Sequence, residues 1–261
     1  MIKNTFLVLD GIGEKTERLL WQRGILSWED FLHMETMPGS LRSRKQLYRE
    51  SLLYFLMELE QRNEKPFVEF LHRRDHWRLF DAFKDDAICL DIETNGLPCN
   101  AGGEITVIGL YGKNGLTQYV KGINLTEEAI REELFSCKLL ITFYGSVFDI
   151  PFMKRTLCSI DFRVPHFDLC FAARKLGHSG GLKRIEAKFG FERGAEIRNL
   201  TGFDAVSLWR EWERGATASL ETLLSYNRSD TENLFEIAHI LYEELCEQSG
   251  FRRYREEFAY R

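Results

Sequence analysis

The sequence predicts an α/β fold with a smaller all-helical part at its N-terminal end. Two observations lead there. Apolar residues recur at helical spacing through residues 1–80, and near Lys84-Asp85-Asp86 the pattern changes to short apolar runs bounded by turns, mixed later with helices. At 261 residues the chain exceeds the roughly 100–200 residues of a usual single domain, so two unequal domains are expected, over residues 1–80 and 84–250.

The elements follow in order. Gly11-Ile12-Gly13 places a glycine turn ahead of a helical run containing Leu19 and Leu20, and Gly24 fits its stop. Ser27 with Asp30 three residues on reads as a capping box opening a second short helix with Trp28, Phe31 and Leu32. After a Pro38-Gly39-Ser40 break, a long helix is expected over 41–60. Ala87-Ile88-Cys89-Leu90-Asp91-Ile92-Glu93 reads as a buried strand ending in acids. Two further strands, 105–111 and 116–120, flank Gly112-Lys113-Asn114-Gly115 as a hairpin. Thr126 caps a helix whose first turn holds Glu127 and Glu128, and another strand is expected over 138–144. From Asp168 onward the pattern is helical, with stops at Gly177, Gly190 and Gly215 and a long last helix over about 219–246.

Composition narrows the function classes. No run of about 18 apolar residues is present, and no signal peptide is expected, so the chain reads as cytoplasmic with no membrane partner. The six cysteines are scattered without a CxxC pair, which argues against a zinc ribbon or redox dithiol and for free thiols. A formal charge of −5 does not exclude a nucleic-acid substrate, because roughly two bound Mg2+ ions would restore positive charge where carboxylates cluster.

Three acidic elements carry the chemistry. Asp91 and Glu93 are two apart on a strand, so both leave one face and can reach one ion; alone, the pair more often describes a strand end meeting solvent. The apolar residues before Asp91 shift the balance, since an unpaired buried charge is costly unless a metal or donors compensate it. Thr94-Asn95-Gly96 then forms a turn whose amides could approach a phosphate. Asp149 follows a strand and the turn Gly145-Ser146, with Pro151 suited to a first helical turn; a helix-cap aspartate is the alternative reading. Tyr226 and Asp230 lie four apart and share a helix face, as in many surface helices. The order strand, strand-to-helix turn, helix is the specific feature.

Leu90-Asp91-Ile92-Glu93-Thr94, Phe148-Asp149 and Tyr226-Asn227-Arg228-Ser229-Asp230 resemble the three motifs of the DEDD superfamily of 3'-to-5' exonucleases, in its tyrosine version. Phe148-Asp149-Ile150-Pro151-Phe152, His166-Phe167-Asp168-Leu169 and Gly181-Leu182-Lys183-Arg184-Ile185-Glu186 are similar to the bacterial YprB-type ribonuclease-H-like proteins. The likeness covers roughly residues 87–244. One departure stands out: Tyr144-Gly145-Ser146 occupies the place of an asparagine usual before the second-motif aspartate.

The resemblance implies a ribonuclease-H-like mixed sheet flanked by helices, and 3'-to-5' exonuclease activity with two Mg2+ or Mn2+ ions. It implies that Asp91 bridges the ions while Glu93, Asp149 and Asp230 complete their shells; oxygen donors suit those metals. Tyr226, with a reference pKa of about 10, is a poor base at neutral pH and is assigned to orienting the attacking water. Gly11 and Gly13 resemble a helix-hairpin-helix, which presents amides to a DNA phosphate or else only packs; Glu14 and Glu17 there would repel phosphate. Lys183 is a candidate phosphate contact or a solvated side chain. The runs Arg73-Arg74-Asp75-His76-Trp77-Arg78 and Arg252-Arg253-Tyr254-Arg255 read as a single-strand groove or as solvated faces. His166 and His178 are not taken as ligands, and Trp209 and Trp212 are read as core. The expected partner is nucleic acid, DNA ahead of RNA. The rival functions are a binding or adaptor protein with a silent nuclease fold and a structure-selective endonuclease.

Overall fold

Strand β1 (Ala87–Thr94) owes its place to its own alternation. Ile88, Leu90 and Ile92 enter one hydrophobic cluster, while Ala87 and Cys89 enter another on the opposite side. Asp91 and Glu93 continue the second set. The computed structural model describes residues 1–35 and 39–259; Pro38, part of the expected break, lies outside the described residues. Around β1 are β2 (Ile105–Gly112), β3 (Gly115–Val120), β4 (Leu139–Thr142) and β5 (His166–Asp168), in the order β3-β2-β1-β4-β5. β1, β2 and β3 run antiparallel, and β4 and β5 run parallel to β1, so the sheet is mixed as expected. The hairpin turn falls at Gly112-Gly115, where the register pairs those two glycines.

Before the sheet come α1 (Glu14–Gln22), α2 (Trp28–His33), α3 (Lys45–Glu60), α4 (Lys65–Phe70) and α5 (Phe80–Phe83). Gly24, at φ +80°, ends α1, and the Ser27/Asp30 capping box opens α2 with hydrogen bonds of 3.1 and 2.8 Å, an arrangement worth about 1 kcal/mol. The helix expected from residue 41 starts at Lys45, because residues 39–44 form a tighter 3-10 segment. Phe6, Trp21 and Trp28 share one hydrophobic cluster with Cys89, Ile141 and Leu241, so the N-terminal helices pack directly on the sheet and its covering helix.

After it come α6 (Glu127–Leu134), α7 (Asp149–Thr156), α8 (Leu169–Lys175), α9 (Leu182–Phe189), α10 (Gly202–Glu213), α11 (Thr217–Ser249) and α12 (Phe251–Ala259). Thr126 caps α6 through a 3.1 Å bond from the Ala129 amide. At 33 residues, about 50 Å, α11 is long enough to touch β1, β2, β3 and β4. β5 has only three residues and escapes the sequence pattern, since so short a run shows no alternation. Among the described residues no helix is long and apolar enough to cross a membrane.

Candidate active site

Asp91 and Glu93 meet α11 because both sit on the face of β1 that this helix covers. Within α11, Tyr226, Asn227, Asp230 and Thr231 are buried, as the 226/230 and 227/231 spacings direct them to one face. Gly109 pairs with Asp91 in the β1–β2 register. A Cβ there would stand 2.3 Å from Thr231 Oγ1 and 2.5 Å from Asn227 Oδ1, so the missing side chain is what lets α11 approach. Asn227 uses that space: its Nδ2 donates to Asp91 Oδ2 at 3.0 Å, while its Oδ1 accepts from Gln118 at 2.9 Å.

The three acids converge. One carboxylate oxygen each from Asp91, Glu93 and Asp230 lies within 4.8 Å of the other two. Asp149 opens α7 beside them, outside that tight group, with Oδ1 accepting the Ile92 amide at 3.1 Å. Its charge nevertheless reaches both strand acids, raising the pKa of each.

Burial is the main electrostatic force on all four. It drives Asp91 and Glu93 well above the carboxylate range, and mutual repulsion pushes further; Asn227 partly opposes this at Asp91 and Arg193 at Glu93. Asp149 is pushed up to about 7 by burial, against the pull of the amides that bond it. Asp230 is pushed up to about 6 by burial, with Arg193 offsetting part of it. Buried, mutually repelling oxygen donors of this kind fit a hard divalent cation, which would relieve both costs at once.

A cation of the chain already leans on the site. Arg193, itself buried, bonds Glu186 through Nε at 2.6 Å and Asp230 through Nη2. Its guanidinium lies 5.6 Å from the centre of the Tyr226 ring, and Lys183 Nζ lies 5.1 Å from the same ring. Lys183 therefore points to the site rather than away from it. Burial, then Arg193, depresses its pKa. Burial, followed by the nearby charges of Asp230, Glu93 and Asp91, raises the pKa of the Tyr226 hydroxyl far above the usual phenol value. It stays protonated.

The remaining expected positions fall elsewhere. Thr94 ends β1 and Asn95 and Gly96 follow it, with Gly96 at φ +81°, but the loop uses its own donors: Gly96 N bonds Thr94 Oγ1 at 3.3 Å and Leu97 N bonds Asn95 Oδ1 at 3.1 Å. Gly11, at φ +77°, and Gly13 sit at the turn and N-cap of α1, away from the acids. Glu17 does not face a phosphate as expected there: it is 1% exposed and bonded to Phe6 N and Arg78. His166 is buried with Nε2 2.8 Å from Thr142 Oγ1, and His178 meets Glu244 at 2.6 Å, so neither joins the acids. Trp209 is buried, its ring 4.5 Å from that of Trp212. Arg252 and Arg253 are taken up by Glu243 and Glu257; in the other basic run His76, Trp77 and Arg78 are buried while Arg73 and Arg74 stay exposed.

Reading the sequence missed Arg193, Glu186 as its partner, and Gly109. A glycine inside an apolar strand is a signal of close approach and could have flagged Gly109. Nothing distinguishes Arg193 in sequence, because its role depends on a loop folding back across α11.

Residues 88–242 match the family model of the RNase H superfamily. Among solved structures, the family B DNA polymerase from the hyperthermophilic archaeon Pyrobaculum calidifontis is similar at a TM-score of 0.47 and 13% identity, over 62% of this chain and 24% of that one. The chain thus spans about a quarter of that polymerase's length. No curated protein matches the sequence.

Proposed function

Because this chain belongs to the RNase H superfamily, we propose that it is a metal-dependent nuclease, and specifically a 3'-to-5' exonuclease of the DEDD type with a preference for single-stranded DNA. The observation that carries the reading is the meeting of Asp91, Glu93 and Asp230 oxygens within 4.8 Å in a buried site. We assign the catalytic unit to residues 84–250 and a helical domain to residues 1–80.

Asp91, Glu93 and Asp230, with Asp149 beside them, would hold Mg2+ or Mn2+. When bound, such ions neutralise charge on a phosphodiester and acidify water. The chain's own groups do the rest. Asn227 fixes the Asp91 carboxylate through a 3.0 Å hydrogen bond to Oδ2. Tyr226 remains a hydroxyl and works by orienting water beside Asp230, not by taking its proton. Lys183 beside that ring supplies a positive charge suited to a backbone phosphate. Thr94, Asn95 and Gly96 lie at the end of β1, next to Glu93, while Gly11 and Gly13 would contact DNA only through the N-terminal helices.

A second reading draws on Arg193, which already occupies an Asp230 oxygen: a nucleic-acid-binding protein whose nuclease centre is silent. End-labelled single-stranded DNA and RNA, incubated with Mg2+, Mn2+ or chelator, separate the readings. Mononucleotides released from the 3' end only with metal support the exonuclease. Internal fragments mean an endonuclease, and binding without cleavage under every condition means the silent fold.

A further inference from the structure

Beyond the acidic centre, the sheet edge carries an exposed aromatic surface that neither the hydrophobic core nor the catalytic reading uses. β1, β4 and β5 are parallel neighbours, so the segments leaving β4 and β5 emerge on the edge toward which β1 carries Glu93. Tyr144 stands two residues past β4 and is 39% exposed; Phe171, in the first turn of α8, is 45% exposed. Their rings stack, with centroids 6.1 Å apart and planes 27° from parallel. Arg174 lies over both, 5.7 Å from the Tyr144 ring and 5.5 Å from the Phe171 ring. Phe148, next to Asp149, is a further exposed ring at 45%.

This surface is built rather than accidental. Tyr144 adopts φ +70°, a conformation costly for a bulky residue. It is held there by buried Asp168, which accepts Tyr144 N at 2.9 Å, Ser146 N at 3.0 Å and Ser146 Oγ at 2.6 Å. The same turn runs on into the acidic centre, the Phe148 amide bonding Tyr144 O at 3.2 Å and the Ile150 amide bonding Gly145 O at 2.9 Å on either side of Asp149. Beside the rings opens a cavity of about 410 Å³ lined by Phe171, Ser146, Trp77, Arg73, Arg74 and Lys175. Arg74 leans on Asp75 at 3.4 Å, whereas Arg73, Arg174 and Lys175 have no carboxylate partner among the described residues. The Trp77 indole N–H is buried without an acceptor.

We propose that Tyr144, Phe171 and Arg174 form a stacking platform, flanked by Arg73 and Lys175 as phosphate contacts, that holds a single strand of nucleic acid leading to the acidic centre. Flat exposed rings with an arginine over them accept any base face, and unpaired cations beside them match the backbone charge. Two strand spacings, about 10 Å, separate β5 from β1, a distance a few nucleotides bridge. The inference rests on the nuclease reading for the direction of the strand, but not for the binding itself.

The test is fluorescence anisotropy of 5'-labelled oligo(dT) of increasing length, from a dinucleotide upward, in chelator so that no turnover occurs. Wild type is expected to gain affinity as the strand becomes long enough to reach the platform. Phe171→Ala, which removes an exposed ring, should weaken the longer oligonucleotides about tenfold while barely changing the dinucleotide. Lys175→Ala should flatten the slope of log affinity against log salt by about 0.7. Equal affinities of wild type and Phe171→Ala at every length, with both proteins showing the same melting temperature, would overturn the proposal, as would tighter binding of a blunt duplex than of the single strand. Absence of metal-dependent cleavage by wild type would remove the nuclease reading and leave this measurement intact.

Discussion

Arg193 and Asp230 form a buried ion pair inside the acidic cluster, and the same guanidinium also holds Glu186 at 2.6 Å. Asp230 is thus tethered by a cation of the chain, in a centre where burial and repulsion raise every acid. Arg193→Gln leaves Glu186 buried without its charge partner and should cost about 3–5 kcal/mol, read from urea unfolding. It also leaves the cluster's repulsion uncompensated, so Mn2+ should raise the melting temperature more in the variant than in wild type. An equal or smaller shift would show that Arg193 does not offset the cluster's charge.

Tyr226 stays protonated because burial and the surrounding acids raise its pKa. Its contribution is therefore that of a protonated, fixed hydroxyl rather than a base. Tyr226→Phe is expected to slow the single-turnover cleavage step about 100-fold while metal affinity is kept. An unchanged single-turnover rate would remove Tyr226 from the chemistry.

Gly109 allows α11 to lie against the strand beside Asp91, where a Cβ would meet Asn227 Oδ1 at 2.5 Å. Gly109→Ala should cost about 1–3 kcal/mol through overpacking and displace Asn227 from Asp91. Loss of cleavage together with that destabilisation is the expected pair of results; full activity would show that the Asn227–Asp91 bond is dispensable.

How much of this was legible beforehand follows from which residues act locally. Asp91 and Glu93 sharing a face needs only the two-residue period of a strand, and Tyr226 with Asp230 needs only the helical period; both appear in the structure on the faces expected. The capping box at Ser27 and the Gly112-Gly115 hairpin turn are equally local. Arg193 reaching Asp230 is set by tertiary packing, and a three-residue strand such as β5 is too short to show a period. Glu17 looked like a surface acid because its partner Arg78 lies 61 residues away.

His76 and His166 are buried neighbours, the His166 amide donating to His76 Nδ1 at 3.0 Å while His76 Nε2 meets Leu71 O at 3.1 Å. That pattern fixes a neutral His76 with its proton on Nε2. Burial pushes both histidines down to about 4, with Arg73 adding to the effect and Asp75 opposing it at His76. The unfolded chain therefore binds protons that the folded chain refuses between about pH 6.5 and 4, so each histidine's contribution is complete above that window and is lost as pH falls through it. The raised acids shift stability the opposite way over overlapping pH, so the measurement is a difference. His76→Gln, which cannot titrate, should lose about 2 kcal/mol less than wild type on going from pH 7 to pH 5. Identical pH dependence in the two proteins would contradict a neutral buried His76.

The most direct measurement is a calorimetric titration of Mn2+ into the nucleic-acid-free protein, wild type against Asp91→Asn, with unfolding curves confirming that both are folded. Saturable binding by wild type that is lost or weakened by at least tenfold in Asp91→Asn is the expected result. Equal binding by the two proteins, or none by wild type, would contradict a metal centre at Asp91, Glu93 and Asp230.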